Sequence, residues 1–485
     1  MRFNLRLIIN ILGLLWVLNG TFMLLCIPIS LYYNDGDWYA LVLAGFITLA
    51  AGAIAWWIGH SKEPGQLKKR DGYLIVTFGW LTMSIFGTLP FLISGEISGF
   101  TNAFFETLSG FTTTGASILN DIELMGRGIL FWRSLTQWIG GMGIIVLTVA
   151  ILPILGIGGM QLFIAEAPGV TPDKLKPRIT DTAKRLWLVY VLLTVIELLL
   201  LWVGGMSFYD AANHALTTMA TGGFSTKQAS VAYFTSPFIQ YVIIVFMFLA
   251  GTNFTVTYFA MHGKFKKVWE NEEFRYYLKF TIGFVIIVSL VVWSVTGNDF
   301  ERSFRDSLFQ LVSVITTTGY ITADYTSWTP FVTIIIFMFM FVGASAGSTA
   351  GGVKIVRHII LLKNSILELK RQIHPSAIMP VRLNKKAVTS QITYNIMAFM
   401  IIYFMIFVAG TLLMAALGND FMTSMGAVAT SLGNIGPGIG SVGPLDNFAH
   451  LSDPAKWLLS FLMLLGRLEL FTVLILFAPH FWSKH

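Results

Sequence analysis

Two stretches pose the chemical question. "FETLSGFTTTGAS" (residues 105–117) and "FQLVSVITTTGYIT" (309–322) each follow an apolar run with Thr-Thr-Thr-Gly, and "ALTTMATGGFST" (215–226) and "AVATSLGNIGPG" (427–438) are looser echoes. Such turns offer oxygen. Their carbonyls sit at a bend that glycine permits, and threonine hydroxyls add further acceptors. Rings of backbone carbonyls can replace the water shell of a cation. The candidate donors are Thr112, Thr113, Thr114 and Gly115; Ala220, Thr221, Gly222 and Gly223; Thr316, Thr317, Thr318 and Gly319; and Gly433, Asn434, Ile435 and Gly436. One such turn is commonplace, and small residues in membrane helices also serve close packing. Four at corresponding places favour the ring.

The elements that hold these turns follow from composition. Of 485 residues, 55% are hydrophobic and 12% charged, against about 25% charged in a soluble domain. Apolar runs near 5–31, 37–59, 71–94, 129–156, 183–206, 236–262, 275–296, 329–364, 389–417 and 454–480 are candidate membrane spans. Between some of them lie apolar segments too short to cross, such as "SGFTNAFFETLSG" and "DFMTSMGAVATS". About 12 helical residues cover roughly 18 Å, so each reads as a half-helix that dips in before the chain returns.

The pattern of span, short helix, Thr/Gly turn, span and basic connector occurs four times, with the turn glycines 108, 96 and 117 residues apart. The expected fold is therefore an all-α polytopic membrane protein, with four tandem helix–pore loop–helix repeats around a pseudo-fourfold axis and two extra leading helices. The expected division is 1–70 for the extension and 71–160, 161–265, 266–386 and 387–485 for the repeats. Non-helical backbone at membrane depth must line a watery path or be buried in protein. Each short helix would aim its carboxyl end, which favours a cation, at that path.

Charge fixes an expected orientation. With the amino terminus cytoplasmic, 25 of the 32 Lys and Arg fall on the cytoplasmic side, as the positive-inside rule requires. The net charge of +7 is thus explained without nucleic acid. The basic connectors also suit a docked partner or anionic lipid. Cys26 is the only cysteine, which excludes intrachain disulfides. "GIGSVG" (438–443) and "GSTAGGVK" (347–354) imitate nucleotide loops without the required context. No histidine pair has metal-ligand spacing. His214 reads as a structural hydrogen-bonding residue, and Glu197 is given no role. No catalytic grouping is readable, so an enzyme is not expected, nor is a cofactor.

The run from 329 to 364 would be about 54 Å long as one helix, too long for a bilayer. Its middle, Gly343, Ala344, Ser345, Ala346, Gly347, Ser348, Thr349, Ala350, Gly351 and Gly352, supports helix poorly. A broken helix is expected, with this loop in the path below the turns. Arg467, in "LLGRLELF", is a costly mid-membrane charge that needs a cavity or a partner. Beneath a cation filter it would form an electrostatic barrier, and its donors could hold the loop's carbonyls.

These repeats resemble the Trk/Ktr/HKT superfamily of potassium transporters over essentially the whole chain. The two leading spans, "WRSLTQWIGGMGIIVL" and "GASAGSTAGGVKIVRH" most resemble the bacterial TrkH/TrkG-type membrane subunits. The resemblance implies a potassium filter built from the sixteen residues above and an intramembrane gate at the 343–352 loop. It also implies a homodimer in the bacterial inner membrane and a cytoplasmic nucleotide-binding regulatory subunit of the TrkA type. Potassium is then the substrate. A channel-like path and a symporter coupled to protons or sodium both remain open. Gly115 stands where some sodium-preferring plant members have serine, and the fourth turn departs furthest from the Thr-rich pattern.

Overall fold

The computed structural model describes residues 3–60, 68–141, 143, 179–374, 376–377 and 379–483. Among them, six helices are long and apolar enough to cross a membrane: Leu5–Tyr33, Trp38–Gly59, Arg70–Ser94, Ala183–Val203, Glu272–Thr296 and Ser390–Ala416. They match six of the expected spans. The distal part of the 129–156 run, beyond the Arg127–Gly141 helix, lies outside the described residues, as do most of the first two basic connectors.

The two leading spans cross closely because their glycines interlock. A Cβ on Gly20 would stand 2.8 Å from Gly45 O, and one on Gly52 2.8 Å from Gly13 O. Backbone thus meets backbone, the usual route to helix association in lipid. The outer spans keep an apolar face toward lipid. On Glu272–Thr296, Ile282, Ile286, Leu290 and Trp293 are all exposed.

Four short helices form the centre: Phe100–Phe111, Phe208–Met219, Phe300–Ile315 and Phe421–Gly433. Their carboxyl-terminal halves are buried except for the half-buried Leu216 and Leu308, with Phe105, Phe111, Phe309 and Leu432 at 1% exposure or less. Each helix begins at an exposed phenylalanine and ends at its Thr/Gly turn. Among the described residues the one sheet is a two-stranded hairpin, Arg382–Leu383 with Lys386–Ala387.

Two expected spans prove to be bent. The 236–262 run is Pro237–Ala250 and Phe254–Met261, meeting at 114°, and the 454–480 run turns by 110° after Asp453–Arg467. At the first bend, Asn253 caps the new helix by accepting from Thr255 N–H (2.8 Å). At the second, Glu469 and Leu470 both adopt left-handed backbone, φ 56° and 53°. Neither sequence carries a proline at its break, so hydropathy alone read straight through. The third-repeat run is broken as expected, into Pro330–Phe339 and Ile355–Ile373.

Candidate functional site

All four short helices end in the same hydrogen-bond pattern. Thr113 N–H donates to Gly110 O (2.9 Å) and Thr114 N–H to Ser109 O (2.9 Å). Thr221 and Gly222 repeat this on Thr218 O and Thr217 O, and Thr317 and Thr318 on Val314 O and Ser313 O. Asn434 and Ile435 do so on Ser431 O and Thr430 O. This is a Schellman motif, whose residue just past the helix is left-handed. Thr113, Thr221, Thr317 and Asn434 occupy that position at φ 51°, 53°, 57° and 54°. Glycine or asparagine usually stands there; a β-branched threonine is strained by about 1–3 kcal/mol. Two residues on, Gly115, Gly223, Gly319 and Gly436 also have positive φ, from 75° to 99°. Handedness therefore reverses at alternate residues, which lets a turn present its carbonyls to one side. The fourth turn shares this geometry despite its divergent sequence, with Asn434 in register with the three threonines.

The turns close on one another. A Cβ on Gly115 would overlap Gly222 O, one on Gly223 would overlap Thr318 O, and one on Gly319 would overlap Ile435 O. A Cβ on Gly436 would stand 2.8 Å from Thr114 O, which completes the circuit. Four turns in cyclic contact surround one axis, with the carbonyls of Thr114, Gly222, Thr318 and Ile435 at the joints. All sixteen residues are thus brought together.

Buried side chains brace this ring. Behind the first turn, Glu106 accepts from Arg133 Nε (2.7 Å), Ser117 Oγ (3.0 Å) and Ile118 N–H (2.9 Å). Arg133 also donates to Ser225 O (3.2 Å), tying the first turn to the second. Tyr320 O accepts from Ser313 Oγ (2.7 Å), and its hydroxyl meets Thr217 Oγ1 (2.5 Å). His214 uses both ring nitrogens structurally, on Asp210 O (2.8 Å) and Ser225 Oγ (3.0 Å). Asn434 Nδ2 donates to Thr114 Oγ1 (3.0 Å) and Met463 O (2.9 Å).

The 343–352 loop lies directly beneath the ring. Gly351 N–H donates to Thr317 Oγ1 (2.7 Å), and Thr349 Oγ1 donates to Met219 O (3.0 Å). A Cβ on Gly351 would stand 2.7 Å from Asn434 Cβ. The two bends receive the loop. Ser345 N–H donates to Gly251 O (3.0 Å) and Phe254 N–H to Gly347 O (3.0 Å). Asn253 Nδ2 donates to Ala346 O (2.7 Å), and Ala346 N–H to Glu273 Oε1 (2.7 Å). Arg467 reaches Thr349 O (2.8 Å), Gly140 O (2.5 Å) and Gly141 O (3.0 Å), joining the loop to the first repeat. Lys354 donates to Ala350 O, within the loop that superficially resembled a phosphate cradle. Glu469 pairs with Arg357 instead of Arg467.

Sequence reasoning singled out the turns, the loop, Arg467 and the structural role of His214 but missed the other braces. Glu106 within "FFETL" and Arg133 within "FWRSL" were readable as lone charges in apolar helices; their pairing across 27 residues was not. Gln137, Asn253 and Glu273 carried no local signal.

Residues 39–484 match the TrkH family, described as a cation transport protein. The chain is 43% identical to the Trk system potassium uptake protein TrkH of Salmonella typhimurium, over 99% of both chains. It is 35% identical to TrkG of Escherichia coli K12, again over 99% of each. The crystal structure of the potassium transporter TrkH from Vibrio parahaemolyticus superposes with a TM-score of 0.89 at 38% identity, covering all of both chains. Those relatives are transporters, not enzymes. Ring, loop and full-length similarity agree: this polytopic membrane protein belongs to the TrkH family of cation transport proteins.

Proposed function

We propose that the chain takes potassium into the cell through a path whose selectivity filter is the ring of four turns. The carrying observation is that ring: four turns of matching left-handed backbone in cyclic contact, each closing a helix whose carboxyl end faces the axis. The carbonyl ends of those helices favour a monovalent cation there, and carbonyl dipoles substitute for its hydration. The relatives named as potassium uptake proteins support potassium as the ion. Potassium is substrate here, and no organic cofactor is required.

The loop from Gly343 to Gly352, held by Arg467, is the gate. It occupies the path beneath the filter, so conduction requires it to withdraw. The four repeats serve as the pore domain and residues 1–70 as an accessory pair of helices. The charge asymmetry supports an inner-membrane protein with a cytoplasmic amino terminus. Family membership supports a homodimer whose gate answers to a cytoplasmic nucleotide-binding subunit of the TrkA type.

Rubidium uptake into proteoliposomes tests the filter. Gly115→Ser should alter flux and discrimination against sodium together; an unchanged ratio in monodisperse protein sinks the assignment. The bent second spans are also a feature of coupled transporters. A reversal potential that tracks potassium alone favours the channel-like path. One that also moves with the proton or sodium gradient favours symport.

A further inference from the structure

The second turn lacks what the first and third use to hold themselves. In those turns a hydroxyl pair closes the loop, Thr112 Oγ1 to Thr114 Oγ1 and Thr316 Oγ1 to Thr318 Oγ1, both at 2.8 Å. The second turn has Ala220 and Gly222 at these positions. Gln137, fully buried on the Arg127–Gly141 helix, fills the gap. Its Nε2 donates to Gly222 O (2.6 Å), and its Oε1 accepts from Phe224 N–H (3.0 Å). A Cβ on Gly222 would stand within 2.7 Å of three atoms of that amide. A threonine at 222 and a glutamine at 137 therefore exclude one another.

The brace belongs to one repeat. Gly140 and Gly466 each abut the last carbonyls of their own short helix, at Phe111 and Leu432, so they are equivalent positions. Three residues before Gly466 stands Met463, where the first repeat has Gln137. Among the four carbonyls at the joints of the ring, Gly222 O is the one that accepts a side-chain hydrogen bond among the described residues. A carbonyl has two lone pairs. One of those on Gly222 O is turned to the amide, and the bond fixes its direction and draws on its field. Selectivity depends on the number and field strength of such dipoles.

We propose that Gln137 is a specificity-determining positioning residue, a side chain from the first repeat that sets the second repeat's share of the carbonyl ring. This rests on the filter reading above. Gln137→Met keeps an unbranched side chain of similar size, as at Met463, and removes both bonds. Radiolabelled rubidium and sodium uptake are measured in proteoliposomes with the purified full chain. Loss of one neutral hydrogen bond at the ring should raise the sodium-to-rubidium ratio about three- to tenfold. A second variant, Gln137→Ala with Ala220→Thr and Gly222→Thr, writes the first turn's pattern into the second. It should return the ratio to within about twofold of the parent.

A purely structural role predicts that both fluxes of Gln137→Met fall equally; an unchanged ratio overturns the proposal. Should Gln137→Met not be monodisperse, the triple variant decides, since a ratio no nearer the parent than that of Gln137→Ala alone also overturns it. Gly319→Ala separates the two failures. If it shifts the ratio and Gln137→Met does not, only the role of Gln137 is lost. If neither shifts it, the filter reading falls and takes this one with it.

Discussion

The bond from Gly351 N–H to Thr317 Oγ1 is a direct link between loop and ring, and it can be cut without disturbing shape. Thr317→Val is isosteric and equally β-branched, so the left-handed strain at φ 57° is retained. With the loop seated, Gly351 N–H loses its acceptor in a fully buried place. An unmet buried donor costs about 1–3 kcal/mol. A withdrawn loop pays nothing, because its N–H is hydrated. The seated state should therefore lose weight by about 5- to 150-fold at 1.4 kcal/mol per factor of ten. While the open fraction is small, rubidium flux into proteoliposomes should rise by that factor, up to saturation. Thr113→Val is the matched control. Thr113 holds the same backbone position at φ 51°, and its hydroxyl meets no partner among the described residues. It therefore perturbs the ring alike and leaves the loop attached. Equal flux changes in the two variants, or no rise in Thr317→Val, would refute the latch.

Three further outcomes follow from particular contacts. Arg467→Gln removes charged bonds to Thr349, Gly140 and Gly141 carbonyls; it should raise flux, and less than additively with Thr317→Val because both act on one loop. Glu106→Gln leaves Arg133 buried without its counter-charge, a loss of about 3–5 kcal/mol, to be read as a lower unfolding temperature in detergent. Asp37, in the connector before Trp38–Gly59, has its carboxyl pushed up to about 6 by burial first, and then by Glu96 and Asp35. A raised carboxyl favours the folded state when protonated, so its contribution is lost as pH rises from about 4 through about 6. Asp37→Asn should gain unfolding temperature over the parent at pH 8 and show a smaller gain at pH 5; the opposite order would refute the linkage.

The legible part of this molecule was whatever its repeats spelled more than once. Thr112–Gly115 and Thr316–Gly319 announce themselves by near identity, and they carry the divergent Asn434 into register by spacing. The 343–352 loop was legible because ten small residues cannot hold a helix. The bends at 251–253 and 468–470 were not, because their breaks rest on backbone angles in sequences that still count as apolar. Gln137 was illegible for another reason. Its partner lies 85 residues away, and only the missing hydroxyls at Ala220 and Gly222 hinted that something else must fill the second turn.

The three breaks are one construction. A straight helix spends its carbonyls and N–H groups internally, so it has nothing to offer a loop that crosses the axis. Ending the second repeat's helix at Ala250 frees Gly251 O and Phe254 N–H, and both go to the loop. Ending the fourth repeat's helix at Arg467 places a fixed cation under the ring, where Thr349 O and the first repeat's Gly140 and Gly141 carbonyls share it. The loop in turn supplies those bends with the partners that lipid could not. Left-handed Glu469 and Leu470 are therefore strain retained for a purpose, at about 1–3 kcal/mol each: they turn the chain beyond Arg467 and present Glu469 to Arg357, just past the loop. Because the bends and the loop satisfy one another, withdrawing the loop must expose unpaired groups on all three. On the proposed gating, that shared cost would make its seating a two-state event, with the ring and the Ile355–Ile373 helix coupled through the same few hydrogen bonds.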